Sequence, residues 1–209
     1  MSVSLVWATP EAERLIVKMA RVSNPSNEEN WGTGPKLLKY LIKHKHWSPF
    51  EMASMCVKIE TERDIASQLT RHRSFSFQEF STRYAKTVPA EVPWFRRQDE
   101  KNRQNSFNDI HPTHQEELQK KAGKLIADSF LLYEQMLAHG VAKETARRIL
   151  PLCTPTSMYM TGTLRSWIHY IQIRANEDTQ LEHRRIAIGC REILKQEFPT
   201  VAEAAFDNV

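Results

Sequence analysis

The residues best suited to chemistry in this 209-residue chain lie close together: Arg71, His72 and Arg73, then Glu79, Ser81, Arg83 and Tyr84, all within the run RHRSFSFQEFSTRY. A guanidinium keeps its charge at any physiological pH and donates hydrogen bonds as a planar fork. Three adjacent basic side chains followed by a serine and a further arginine therefore make a receptor for phosphate or carboxylate. A solvated basic face is the plain alternative for an isolated Arg-His-Arg. If 79–84 is extended, Glu79, Ser81 and Arg83 share one face and Phe80, Thr82 and Tyr84 the other, a polar face opposite an anchoring one. A histidine between two permanent positive charges sits in a field that repels cations, so no metal site is expected.

Other segments carry donors at useful spacing. Gln68 lies one helical turn before Arg71, so both can reach one ligand, although an exposed helix residue explains Gln68 equally well. His46-Trp47-Ser48-Pro49-Phe50-Glu51 reads as a proline turn. Arg147 and Arg148, after Glu144-Thr145-Ala146, either bind an anion or favour the negative end of a short helix. Thr163 to Arg174 is amphipathic, with Leu164, Trp167, Ile168 and Ile171 as core stripe and Arg165, His169 and Arg174 outside it. Ser81 has no His or Lys placed by spacing as its base, so it is read as a binding hydroxyl.

The elements that must position these groups follow from periodicity. Thr9-Pro10-Glu11 starts a helix over 10–21 with Ala12, Leu15, Ile16 and Met19 as its stripe. Residues 23–34 form a loop, and Pro35 opens a second helix ending near His44, with Leu37, Leu38, Leu41 and Ile42 inward. Ala53, Met55, Val57 and Ile59 alternate as a half-buried strand. Helical spacing returns over 62–73, so the Arg-His-Arg sits at a helix end. The stretch 86–112, rich in Pro and polar residues, is a long loop or insertion, and such loops are often functional lids. A helix over 113–138 has Leu118, Ala122, Leu125, Ile126, Phe130, Tyr133 and Leu137 as its stripe, and His139-Gly140 ends it. A short helix over 142–150, a short strand or turn over 158–161, and helices over 164–174 and 179–198 complete an α+β fold. This is a single domain over 1–209 with a small antiparallel sheet flanked by several helices.

Bulk properties agree with one soluble domain. With 41% hydrophobic and 26% charged residues, the chain can bury one core. No apolar run approaches the ~20 residues of a membrane span, and residues 1–10 lack the charged and apolar regions of a signal peptide, so a cytoplasmic protein is expected. Cys56, Cys153 and Cys190 are too few and too scattered for a disulfide framework or a zinc site. The net charge of +4 suits nucleic acid or small anions alike.

The ordered pattern Arg-His-Arg, seven residues, Ser, with Glu two before the Ser and Arg-Tyr after it, resembles the signature of the flavin-dependent thymidylate synthases. The resemblance extends to His46 with Ser48-Pro49-Phe50-Glu51, to Glu144-x-Ala146-Arg147 with Leu150-Pro151, to Thr163-x-Arg165-Ser166-x-x-His169 ending in Arg174, and to Gln180-x-Glu182. It implies FAD as bound cofactor, with NADPH and 5,10-methylenetetrahydrofolate as co-substrates in the reductive methylation of dUMP to dTMP. It further implies dUMP contacts from Gln68, Arg71, Glu79, Ser81, Arg83, Arg147 and Arg174, and FAD contacts from Ser48, Arg71, His72, Arg73, Glu79, Thr163, Arg165 and His169. Arg174 would activate the uracil ring with no protein nucleophile. The family implies a homotetramer with sites at subunit interfaces, acting on small molecules and on neither nucleic acid nor membrane. Thr163, His169 and Gln78 stand where the family pattern has asparagine. Two rivals remain on the residues alone: a nucleic-acid-binding module that stacks bases on Phe75, Phe77, Tyr84 and Trp94, and a thymidylate synthase using Cys153 as nucleophile.

Overall fold

The structure, a computed structural model, describes residues 1–207. Its organising element is the nine-residue strand β6 (Pro155–Thr163), which pairs antiparallel on both edges. On one side β2 (Ser54–Glu62) runs against its whole length, and β1 (Ser2–Ala8) pairs with the outer edge of β2; on the other side lies β3 (Ser76–Glu79). The sheet order is thus β1-β2-β6-β3. The strand expected over 158–161 is longer because the alternation of Thr156, Met158 and Met160, all buried, continues beyond the apolar residues. Ser2–Ala8 forms a strand that the sequence reading leaves unassigned; most of its side chains are exposed, as suits an edge.

Helices pack against this sheet and against one another. In chain order they are α1 (Ala12–Ala20), α2 (Gly34–Lys43), α3 (Arg63–Leu69), α4 (Pro112–Ala138), α5 (Lys143–Ala146), α6 (Leu164–Arg174), α7 (Leu181–Glu197) and α8 (Pro199–Phe206). The core joins Met55, Val57 and Ile59 of β2 and Met158 and Met160 of β6 to Leu164, Trp167, Ile168 and Ile171 of α6 and to Ile186 and Leu194 of α7. Buried Trp167 spends its one polar group well, donating Nε1–H to the carbonyl of Met55 at 3.0 Å.

The structure departs from the sequence pattern in several elements. The Arg63 helix stops at Leu69, so Arg71-His72-Arg73 lies beyond it in a turn. In α1, Val17 is buried and Met19 is exposed, because the buried stripe runs through Ala12, Ile16 and Val17. In α4 only Ile126, Phe130 and Tyr133 of the expected stripe are buried; Leu118 and Leu125 face outward, along with Leu131 and Leu132. That helix packs chiefly on α5 and the following turn Arg147–Ile149, so it offers two apolar faces and the body of the chain covers one. The 86–112 segment holds a small hairpin of β4 (Arg97–Gln98) and β5 (Ser106–Phe107), and α8 is separated from α7 by Phe198.

Gly162 shows how the sheet admits the signature turn. A Cβ at that position would come within 2.6 Å of Phe75 Cδ1 and 2.8 Å of Cε1, and Phe75 is itself wedged against Trp167 and Tyr170. We expect Gly162→Ala to cost roughly 1–3 kcal/mol by overpacking, lowering the melting temperature by several degrees in a thermal denaturation. An unchanged melting temperature would mean that Phe75 has room to move.

Candidate functional site

The turn after α3 sorts the signature residues by direction. His72 N–H closes on the Leu69 carbonyl and Phe75 N–H on the His72 carbonyl, which turns His72 inward and leaves Arg71 and Arg73 exposed. Neither of those two guanidinium groups has a hydrogen bond or ion pair among the described residues, so both are available to an anion. His72 instead meets α6: Arg174 donates Nε–H to His72 Nε2 at 3.0 Å, and the imidazole lies edge-on to Tyr170 at 4.9 Å. An accepting Nε2 requires the neutral ring protonated at Nδ1. Burial, then the positive field of Arg174 and His169, holds the His72 pKa down to about 4, in agreement with that assignment.

This bond fixes Arg174 by its inner nitrogen. Its two terminal nitrogens find no partner among the described residues, while the half-buried side chain lines a cleft of about 400 Å³ with Gln68, Arg96, Arg103, Thr179 and Gln180. Gln68 is tethered at both ends of its amide, by Gln180 Oε1 at 2.8 Å and by His183 Nδ1 at 3.3 Å. His183 is wholly buried, and desolvation, then Arg174 and His72, depress its pKa to about 4.

A second cluster forms at the Pro155 end of β6. Glu79 stands opposite Met158, accepts from Thr156 Oγ1 at 3.0 Å and lies 3.9 Å from Arg63. Beyond it the backbone is not extended: Tyr84 and Ala85 N–H both close on the Ser81 carbonyl, so 81–84 is a turn. Thr82 goes to the interior at 1% exposure while Tyr84 stands out at 78%, which overturns the two-faced strand expected over 79–84. Arg147 donates to Thr82 Oγ1 at 3.3 Å and Arg83 pairs with Glu144 at 3.5 Å, so Ser81, Arg83 and Arg147 gather around one turn. None of them lines the cleft of Gln68 and Arg174.

The third group sits at the opposite end of β6. Thr163 caps α6 by accepting from Ser166 N–H at 3.3 Å, and Ser166 Oγ donates to the Ser74 carbonyl at 3.3 Å. Arg165 pairs with Glu51 of the Ser48–Glu51 turn at 2.6 Å, and Trp47, Glu51, Ser74, Arg165, Ser166 and His169 line a cleft of about 360 Å³. The donors suit a flavin dinucleotide: exposed Ser48 and His169 for polar edges, and unpaired Arg71 and Arg73 for a diphosphate. The volume lies near the low end for ligand pockets, about 300–1,000 Å³.

Strand geometry separates these groups. At ~3.3 Å per residue, the seven steps from Thr156 to Thr163 span ~23 Å. Sequence reasoning passed over Arg96, whose guanidinium grips Glu182 at 2.5 and 2.8 Å, and His183. An Arg-Arg pair within a loop of many charged residues was the signal for Arg96; nothing local marked His183. Both rivals lose their footing. Phe75 is in the core, so the aromatic platform is broken. The Cys153 thiol is pushed up by burial and by Glu62 and Asp64, the reverse of what a nucleophile needs.

Residues 4–200 match the family described as thymidylate synthase complementing protein. The chain is 52% identical over 194 residues to a probable flavin-dependent thymidylate synthase of Paramecium bursaria Chlorella virus 1, covering 92% of this chain and 90% of the relative. It is 50% identical over 192 residues to the flavin-dependent thymidylate synthase of a Synechocystis species, covering 92% and 88%. Among solved structures it is similar to a UMP/dUMP methylase PolB from Streptomyces cacaoi bound with 5-Br dUMP, with a TM-score of 0.85 and 26% identity over 97% of this chain and 93% of that one.

Because the pKa values of His72 and His183 fall from 6.5 to about 4 on folding, their contribution to stability is complete above pH 6.5 and is lost as the pH drops toward 4. Denaturant unfolding at pH 7.5, 6 and 4.5 should show this decline, and His183→Asn should flatten it. A slope that the substitution leaves untouched would reject the buried neutral imidazole.

Proposed function

The chain belongs to the flavin-dependent thymidylate synthase family, and on that premise we propose that it converts dUMP to dTMP with 5,10-methylenetetrahydrofolate as carbon donor, NADPH as reductant and FAD as bound cofactor. The observation that carries the reading is the state of Arg174: pinned through Nε, unpaired at both terminal nitrogens, and facing a cleft beside Gln68. Methylation at C5 requires the uracil ring to become nucleophilic, which gathers negative charge on its carbonyl oxygens and ring nitrogen. The terminal N–H groups of Arg174 stabilise that charge, and the neutral His72 keeps the guanidinium aimed without competing for the anion. When bound, FAD supplies the hydride that completes the methyl group.

The remaining residues bind and orient. Arg83 and Arg147 take the substrate phosphate with Ser81 beside them, and Glu79, steadied by Thr156, orients the ligand. Arg71 contributes to both ligands. Arg73, Ser48, Thr163, Arg165 and His169 hold the flavin, with His72 acting through Arg174. Since the phosphate cluster does not line the cleft of Arg174, a complete site combines residues of different copies, in a homotetramer. The outward leucines of α4 supply apolar surface for that assembly. No helix among the described residues is long and apolar enough to cross a membrane, and a cytoplasmic location suits the small-molecule substrates.

The purified protein should be yellow, with flavin absorbance between roughly 350 and 500 nm that NADPH bleaches; a colourless protein unable to take up FAD refutes the assignment. Arg174→Ala should lower kcat by about 10²–10³ with flavin still bound. Mixing inactive Arg83→Ala and Arg174→Ala subunits should restore activity in hybrid tetramers. Persistently inactive hybrids would place each site within one chain.

A further inference from the structure

Five side chains from three segments form one continuous row. Arg96 donates to both oxygens of Glu182, at 2.5 and 2.8 Å; Gln180 Nε2 donates to Glu182 Oε2 at 3.1 Å; Gln68 Nε2 donates to Gln180 Oε1 at 2.8 Å; and Gln68 Oε1 faces His183 Nδ1 at 3.3 Å. A carboxylate accepts only and a guanidinium donates only. The Gln180 amide can therefore meet Glu182 only with its NH₂ group, which presents its oxygen to Gln68. Gln68 must answer with its own NH₂, and its oxygen then requires a proton on His183 Nδ1. One negative charge sets the sense of every bond in the row. Arg96, from the 86–112 segment, keeps that charge in place; although burial opposes ionisation, the bonds from Arg96, the backbone and Gln180 hold the Glu182 pKa below the usual range.

Gln68 retains one N–H and one carbonyl lone pair for the cleft it shares with Arg174. We infer that the Glu182 carboxylate, acting through Gln180, locks the Gln68 amide in one of its two flip states and thereby selects uracil over cytosine. This rests on the reading of that cleft as the dUMP site. The edges of the two bases differ by inversion: uracil offers an acceptor at O4 and a donor at N3, and cytosine offers a donor at N4 and an acceptor at N3. A locked amide matches one of these patterns and sets donor against donor and acceptor against acceptor with the other. An amide free to turn over accommodates both. Glu182, Gln180 and Arg96 are positioning residues in this scheme, since none needs to touch the base.

Calorimetric dissociation constants of dUMP and dCMP on the flavin-loaded protein test the inference. The wild type should prefer dUMP. Glu182→Gln, which removes the obligatory acceptor, and Gln180→Met, which cuts the row while sparing the Arg96–Glu182 pair, should each reduce that preference about tenfold with flavin content unchanged. Arg96→Lys, which keeps a cation on the carboxylate, should preserve it. If both variants weaken the two nucleotides by the same factor, the row is merely structural and the inference falls. A wild type that binds neither nucleotide overturns the assignment of the cleft itself, a result distinct from an unchanged preference.

Discussion

A strand hydrogen-bonded along both edges cannot slide, because a one-residue slip would carry every buried side chain to the wrong face. β6 is held in that way by β2 over its full length and by β3 opposite Met158–Thr161. Its register decides where the signature segment enters and leaves the sheet. Phe75 comes in beside Gly162 and Ser74 beside Ser166, and Glu79 departs beside Thr156. The Thr163, Arg165 and Ser166 group and the Arg83 and Arg147 group are consequently sent to opposite ends of one rigid strand.

Within that frame the chemistry depends on keeping some groups uncharged. His72 and His183 both lie near Arg174, and two imidazolium ions there would add buried positive charge without a counter-ion. As neutral rings they act as hydrogen-bonding parts of the scaffold, one accepting from Arg174 and the other donating to Gln68. Permanent positive charge is carried by Arg71 and Arg73, which face solvent, and by Arg174, whose terminal nitrogens face the cleft, where an anion can reach them. Glu182 is the complementary case, an ionised carboxylate kept in a half-buried place because Arg96 grips both of its oxygens.

Much of the fold was legible in local pattern. The stripes of α2 and α6 and the alternation of β2 are dictated by which side chains must leave water, and Leu38, Met55, Val57, Ile59, Trp167 and Ile168 are buried as their spacing requires. Pattern failed where burial depends on distant partners. Leu118 and Leu125 repeat correctly for a buried stripe, yet they stay 45% and 71% exposed. Ser2–Ala8 reads weakly as a strand because an edge strand needs few buried residues.

For the site, residue types were enough to point to anion binding by the arginines, since charge, fork geometry and hydrogen-bonding capacity belong to the residue itself, while the flavin was legible only through the ordered motifs that resemble a known family. Tertiary structure alone decided which way each group faces. It turned His72 away from its two arginine neighbours and onto Arg174, curled Ser81–Tyr84 into a turn, and brought Arg96 across 86 residues of chain to Glu182. Those outcomes follow from long-range packing and from the sense of hydrogen bonds fixed by one distant carboxylate, neither of which is written in any local stretch of sequence.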